Sequence, residues 1–214
     1  SSGQAEPLTS GKPEDGVGTF AVNAVPVLRD GYTGGITVAD SGTAGQRLAF
    51  ANATLQSQGD IVFSGKGNTT AQADLTLTAA RVTASSDAEQ RVKAGHDLTI
   101  GKAEGGKTLN ESLGAGGKLG LAGRVLTQAG NIDIEAGRLN LLARGTDSAA
   151  SEALVFAAGS NTSVAGRVRQ VSDTYAVASG GGTLTATAEK GAIVVNGTLS
   201  AAAPTLPTGV TGQA

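Results

Sequence analysis

Only a few side chains in this sequence have the chemistry needed for catalysis. Cysteine is absent and His96 is the only histidine among 214 residues. Thiolate nucleophiles and thiolate metal sites are therefore excluded, and any histidine-based triad would have to use His96. His96 lies in a Gly-His-Asp sequence, which is typical of a solvent-exposed turn. We predict a protein that is not an enzyme and that has no metal or other cofactor.

Paired carboxylates are the second chemical possibility. Asp74, Asp97 and Lys118 each directly precede a leucine, and they follow one another at similar intervals. If the chain coils with that period, Asp74 lies beside Asp97, and Asp97 lies beside Lys118. Two acids on one outer face could perform acid/base chemistry, so a polysaccharide-processing enzyme remains an alternative. Because Lys118 would offset one of the charges, we prefer a neutralised surface ladder.

Asparagine triplets are a third feature that could carry chemistry. The sequence contains five Asn-x-Ser/Thr triplets, which makes their asparagines candidate glycan acceptors. They are Asn52, Asn68, Asn110, Asn161 and Asn196. An asparagine at a corner followed by a threonine in a strand would produce the same triplet without any selection for sugar, so both interpretations stay open.

Composition and charge exclude several classes of partner. Lys and Arg number 16 against 18 Asp and Glu, and aromatic residues make up only 3% with no tryptophan. We therefore expect no nucleic-acid binding, which needs a basic surface or an aromatic stacking platform. Between Arg81 and Arg144 nine basic residues face seven acidic ones. Affinity for a sulfated glycan would therefore depend on how these charges are arranged.

The elements that must position these residues are short strands. Apolar residues alternate in pairs such as Leu75/Leu77 and Leu139/Leu141, which is the two-residue period of a strand with one buried face. A longer period also runs through the chain, because a series of such residues recurs at nearly equal intervals. Its members are Ile36, Leu55, Leu75, Leu98, Leu119 and Leu139. The series predicts an all-β, right-handed parallel β-helix with three sides and about 20 residues per coil, in which these six residues form one core ladder.

Several segments interrupt this period. Residues 31–200 are predicted to form the coils, with flanking segments at 1–30 and 201–214 and a candidate strand at Val22 to Leu28. A polar, glycine-rich stretch at 102–117 is expected to be an enlarged corner loop. Residues 147–159 allow either a helix or a buried strand at Leu154 to Phe156.

The amino-acid sequence of the repeats resembles that of a known family. The stretch ADLTLTAARVTASSDAEQRVKAGHDLTI, from Ala73 to Ile100, resembles the repeat unit of the filamentous haemagglutinin family, and so does QAGNIDIEAGRLNLLA, from Gln128 to Ala143. The resemblance covers about Leu48 to Ala143. It implies a β-helical shaft of a large adhesin of Gram-negative bacteria, exported by two-partner secretion through an outer-membrane transporter. A stalk of a related contact-dependent toxin-delivery protein is the alternative within the same class.

The resemblance also sets expectations for location and partners. We expect a secreted or cell-surface, monomeric segment that supports attachment to a host-cell glycan or protein receptor. The family's N-P-N-G secretion element is not found in the sequence, which suggests a slice from the interior of the shaft. The longest apolar stretch, Ala153 to Ala158, is too short to span a membrane. Any targeting segment is expected to lie outside this sequence.

Overall fold

The fold was analysed in a computed structural model, which describes residues 19–24, 35–39, 46–48, 52–108, 113–146, 151–208 and 211–213. Within these ranges the regular structure is entirely β-strand, with no helix. Most strands belong to three sheets whose strands all run parallel, and a small fourth sheet contains an antiparallel pair. The predictions of an all-β chain and of parallel strands are confirmed.

The three parallel sheets, here named A, B and C, are listed in the order of neighbouring strands. Sheet A contains β1 (Thr19–Ala24), β4 (Asn52–Ser57), β7 (Asp74–Ala79), β10 (Leu98–Lys102), β12 (Leu126–Gln128), β15 (Glu152–Phe156) and β20 (Ala192–Val195). Sheet B contains β2 (Ile36–Val38), β5 (Asp60–Phe63), β8 (Arg81–Ala84), β13 (Asn131–Asp133), β16 (Asn161–Ser163) and β21 (Thr198–Ser200). Sheet C contains β3 (Gln46–Leu48), β6 (Lys66–Ala71), β9 (Glu89–Ala94), β11 (Lys118–Gly123), β14 (Arg138–Ala143) and β19 (Thr183–Ala188).

The fourth sheet, D, contains β17 (Val168–Ser172), β18 (Tyr175–Ala178) and β22 (Thr211–Gln213). Strands β17 and β18 form an antiparallel hairpin inserted between β16 of sheet B and β19 of sheet C. One face of this hairpin is buried through Ala176 and Ala178. The hairpin is therefore packed against the body of the protein.

Over the first ten strands the chain visits sheets A, B and C in turn, so that each strand from β1 to β7 pairs with the strand three places later. Strand β4 pairs with β7, β5 with β8, and β6 with β9. Tight corners make this succession possible. At Gly95, between β9 and β10, a Cβ atom would collide with the backbone carbonyl oxygen of Gln72, so only glycine fits.

The core consists of the inward-facing residues of the three sheets. In sheet A the paired positions Leu75, Leu98, Leu126 and Leu154 are each no more than 1% exposed. Alternate residues face outward, as in β9, whose exposure alternates strictly from residue to residue. Full burial of one such leucine contributes about 1.5–3 kcal/mol. The strand alternation predicted from the sequence is confirmed in these segments.

The predicted single core ladder is wrong in its register. Ile36 lies in sheet B, whereas Leu55, Leu75 and Leu98 lie in sheet A, and Leu119 and Leu139 lie in sheet C. Only two of the predicted steps join direct partners, Leu75 to Leu98 and Leu119 to Leu139. Leu55 pairs instead with Leu77. We call one passage of the chain through the sheets, from a strand to its next paired neighbour, a lap. Equal spacing along the sequence does not identify paired residues, because the number of residues in a lap varies. Leu98 meets its next partner, Leu126, only after the inserted segment at 103–117.

Residues 103–117 do more than enlarge a corner. The strand before them, β10, belongs to sheet A and the strand after them, β11, belongs to sheet C, and none of the residues described between these two strands, 103–108 and 113–117, forms a strand of sheet B. As a result β13 pairs directly with β8, through Ile132 and Val82. The segment is fixed at its far end, where the Ser86 N–H donates to the carbonyl oxygen of Leu113 and the Gly116 N–H donates to that of Glu135.

Three further segments are placed by the structure. Residues 152–156 form strand β15, so the strand alternative is correct and the helix alternative is wrong for the described part, 151–159. The reason is burial, because Ala153, Leu154 and Phe156 are all 0% exposed. Strand β1 lies in the segment predicted to flank the coils, overlaps the candidate strand at Val22 to Leu28, and is paired with β4 within sheet A. Residues 25–34 and 147–150 lie outside the described ranges.

Candidate functional site

His96 occupies an exposed corner between β9 and β10. Its backbone N–H donates to the carbonyl oxygen of Ala73 at 3.1 Å, and its own carbonyl oxygen accepts the N–H of Arg124 at 2.6 Å. The residue thus links three laps through its backbone, while its imidazole faces solvent. The prediction of a solvent-exposed turn residue is confirmed.

The predicted acidic ladder is correct for one pair. The Asp97 N–H donates to Oδ1 of Asp74 at 3.0 Å, so these residues are neighbours. The cation beside them is not Lys118 but Arg124, whose Nε lies 3.1 Å from Oδ1 of Asp97. This hydrogen bond to the carboxylate raises the pKa of the Arg124 guanidinium further above its ordinary value.

Lys118 lies elsewhere, on sheet C, where its Nζ is 3.8 Å from Oε2 of Glu89. The prediction that it neutralises Asp97 is therefore wrong. The insertion at 103–117 lengthens the lap, so the side chain that reaches Asp97 comes later in the sequence, at Arg124. With its charge offset, the Asp74–Asp97 pair is a partly exposed surface ladder.

The candidate glycan acceptors are accessible wherever the structure describes them. Asn52, Asn68, Asn161 and Asn196 are all exposed. Three of them lie at a strand end, since Asn52 begins β4, Asn161 begins β16 and Asn196 directly follows β20. Asn110 lies outside the described residues. The geometry is thus compatible both with modification and with asparagines that simply mark corners.

A charged cluster on sheet B was not found from the sequence. Its centre is the buried pair of Asp60, which is 0% exposed, and Arg81, which is 9% exposed. Two contacts join them, from Nη2 of Arg81 to Oδ2 of Asp60 at 2.5 Å and from Nε to Oδ1 at 3.3 Å. Nη1 of Arg81 also lies 3.7 Å from Oδ2 of Asp133. One arginine therefore connects β5, β8 and β13.

The hairpin β17–β18 extends this cluster. Arg167, just before the hairpin, forms an ion pair with Asp133. Nη2 of Arg169, in β17, contacts both carboxylate oxygens of Glu135 at 2.9 and 3.0 Å. The Ser179 hydroxyl donates to the same carboxylate at 3.4 Å. These ion pairs hold the hairpin against β13 of sheet B and against the residues that directly follow it.

A shallow cleft lies among these charges. Arg81, Asp133 and Arg167 line it, together with Leu113 and Gly114 from the inserted segment. The carboxylates of Asp60, Asp133 and Glu135 each form an ion pair with at least one arginine. The arrangement suits cross-linking of laps better than it suits acid/base chemistry on a substrate. Within the described ranges no group of three or more His, Cys, Asp or Glu residues could hold a metal ion.

The described part of the chain defines an all-β protein of stacked parallel sheets, with its charged side chains in surface ladders and one ion-pair cluster. It contains no helix of the length and apolar character needed to cross a membrane. Comparisons with protein-family models, with curated proteins and with solved structures find no match to this chain.

Proposed function

We propose that this chain is an extracellular shaft segment of a filamentous haemagglutinin-like adhesin, folded as a three-sided, right-handed parallel β-helix. Most strands of sheets A, B and C pair with the strand three places later, as in β4 with β7 and β5 with β8, and this supports three sides per coil. Right-handedness follows from the general rule that parallel crossovers within one sheet are nearly always right-handed. The segment acts by length rather than by catalysis.

The dimensions suit a spacer. Sheet A has seven strands in the described residues. At about 4.8 Å between strands, they extend roughly 30 Å along the stack. Further laps would add length in equal steps without changing the cross-section. Such a segment would hold an attachment site away from the bacterial surface.

One observation carries the proposal, namely the exposed apolar residues on the last strands of the stack. Ile193 and Val195 in β20 are 42% and 51% exposed, although they pair with Leu154 and Phe156, which are fully buried. Leu199 in β21 is 39% exposed, although its partner Thr162 is fully buried. These are inward positions of the coil. Another lap with the same pattern would cover them, as a continuing shaft requires.

Insertion of extra laps tests the shaft geometry. Three additional copies of residues 75–97, inserted in tandem after Asp97, should lengthen the particle by about 14 Å and leave its cross-sectional radius unchanged. Small-angle X-ray scattering measures both quantities. An insertion of the same length made of glycine and serine is the control, and it should add a loop without lengthening the rod. Growth of the cross-section in the tandem-repeat variant would contradict the proposal.

A second experiment tests the role in attachment. In the full-length protein on cells of its source, this segment is replaced by tandem copies of residues 75–97 that restore the same length. A spacer role predicts that surface display and adherence to host cells are both retained, whereas deletion of the segment reduces adherence. Loss of adherence in the length-matched replacement, with display intact, would show that the segment acts through specific residues instead.

Export through a two-partner secretion transporter belongs to the same proposal. Deletion of the transporter from the source cells should leave the protein undetectable on the surface of intact cells by antibody labelling. Unchanged labelling would argue against this export route without affecting the shaft geometry.

A further inference from the structure

The outer face of sheet C carries an excess of positive charge, although the whole chain is slightly acidic. Six charged side chains face outward from its strands in the described residues, and all six are exposed. They are Lys66, Glu89, Arg91, Lys93, Lys118 and Arg138. Five of these are cations, although the whole chain has a net charge of -2. The tertiary structure therefore gathers basic residues on one side.

These charges spread in two directions. Lys66, Glu89, Lys118 and Arg138 occupy consecutive positions of one register row, across β6, β9, β11 and β14. That row covers about 14 Å at the usual strand spacing. Arg91 and Lys93 extend the patch along β9, perpendicular to the row, over roughly 13 Å from Glu89. The result is a flat, two-dimensional patch rather than a single line of charges.

Little on this face projects beyond the cations. The positions beside Arg91 in neighbouring strands are Asn68 and Gly120, and Asn140 follows in β14. The Arg91 side chain passes over Gly120, where a Cβ atom would lie 3.7 Å from its Cγ. Short neighbours leave the ends of the long basic side chains as the outermost groups of the sheet.

The single acid does not neutralise the patch. Glu89 lies 3.8 Å from Lys118, and the side chains of Lys118 and Glu89 are 52% and 47% exposed. An exposed ion pair at this distance contributes little to stability. Five cations against one acid leave this face with four positive charges in excess.

We propose that the outer face of sheet C binds an anionic lipid surface. A rigid, flat sheet presents its cations in one plane, so a planar array of phosphate headgroups can contact the row and the β9 extension at the same time. A linear polyanion can follow only one of the two directions. This inference goes beyond the shaft role, because it depends only on the face itself and holds whatever the rest of the rod supports.

Binding to vesicles tests the proposal. The chain should co-sediment with vesicles of phosphatidylcholine mixed with an equal amount of phosphatidylglycerol, but not with vesicles of phosphatidylcholine alone. A double variant, Arg91→Gln with Lys93→Gln, should bind about thirtyfold more weakly, since each basic residue near an anionic membrane contributes about a fivefold effect. High salt should abolish binding, as the screening length falls to about 3 Å at 1 M.

A matched double variant controls for total charge. Lys102→Gln with Lys107→Gln removes two exposed cations that lie outside sheet C. It should bind within about twofold of the unmodified chain, and circular dichroism should show both double variants folded. Equal weakening by the two double variants, or no binding to anionic vesicles, would overturn the proposal.

Competition with a soluble linear polyanion distinguishes binding to a lipid surface from binding to an anionic polysaccharide. Dextran sulfate should compete only weakly with the anionic vesicles. If it binds with the same dependence on Arg91 and Lys93 while the vesicles do not bind, the face recognises an anionic polysaccharide, and the lipid proposal is wrong. The shaft proposal survives either result, because scattering and adherence test it separately.

Discussion

Replacement of Arg81 by methionine isolates the energetic role of the buried ion pair. Asp60 is completely buried, and its carboxylate is held by two contacts from the Arg81 guanidinium, at 2.5 and 3.3 Å. Methionine keeps much of the apolar stem of arginine but removes the charge. The variant therefore leaves the Asp60 carboxylate in the interior without its cation.

Arg81→Met should lower the free energy of unfolding by more than Asp60→Asn does. Removal of one partner of a buried pair typically costs about 3–5 kcal/mol, because the remaining charge stays desolvated. Asp60→Asn should cost less, about 2 kcal/mol, because it removes the more deeply buried charge and leaves Arg81 close to Asp133. For a chain of this size, Arg81→Met should lower the melting temperature by about 10 °C.

Urea unfolding followed by circular dichroism measures the free energies, and amide hydrogen exchange in β5 and β8 locates the effect. Arg124→Met is the matched control, since Arg124 also contacts an aspartate but is 48% exposed. That control should cost less than about 1 kcal/mol. If Arg81→Met cost no more than Arg124→Met, or no more than Asp60→Asn, the reasoning from burial would be refuted.

The core, one hydrogen bond and the asparagine triplets give three further predictions. Leu98→Ala should cost about 3–5 kcal/mol in urea unfolding because Leu98 is 0% exposed, whereas Leu199→Ala, at a 39% exposed position, should cost much less. Similar costs would contradict the assignment of Leu199 to an uncovered end. The hydrogen bond from the Ser85 hydroxyl lowers the pKa of Asp87 below 3.8, so its stabilising contribution is present above that pH and is lost as the pH falls through the lowered pKa. Ser85→Ala should return the pKa of Asp87 towards 3.8 in an NMR titration, and an unchanged pKa would exclude this cause. If the exposed triplets accept glycans, peptides that contain them, released from the protein of its native source, should weigh more than their sequences predict in mass spectrometry, and bare peptide masses would remove the hypothesis. The described acceptors are Asn52, Asn68, Asn161 and Asn196.

Local patterns in the sequence were sufficient to predict strands and buried positions. The alternation at Leu98/Ile100 and Leu139/Leu141 correctly identified four residues that are no more than 1% exposed. This succeeds because the two-residue period is a property of each strand by itself. At 147–159 the pattern left a helix and a strand open, since a short apolar run fits both, and pairing of β15 with β12 decided for the strand.

Local patterns could not predict which residues of different strands are stacked on one another. Leu98 and Leu119 follow one another at nearly the regular interval of the series, yet they lie in sheets A and C. Neighbouring laps differ in length because insertions such as 103–117 and the hairpin β17–β18 lie between strands. Only the hydrogen-bonded register shows which residues are stacked.

The sequence by itself determined an all-β chain with short strands, an aliphatic core and an exposed His96, because each of these depends on residues close together in the chain. The tertiary structure alone decided that Arg124 reaches Asp97, that Arg81 joins Asp60 to Asp133, and that basic residues collect on sheet C. These contacts join residues from different laps. Their partners are fixed by the lengths of the intervening laps, which no local pattern of residues specifies.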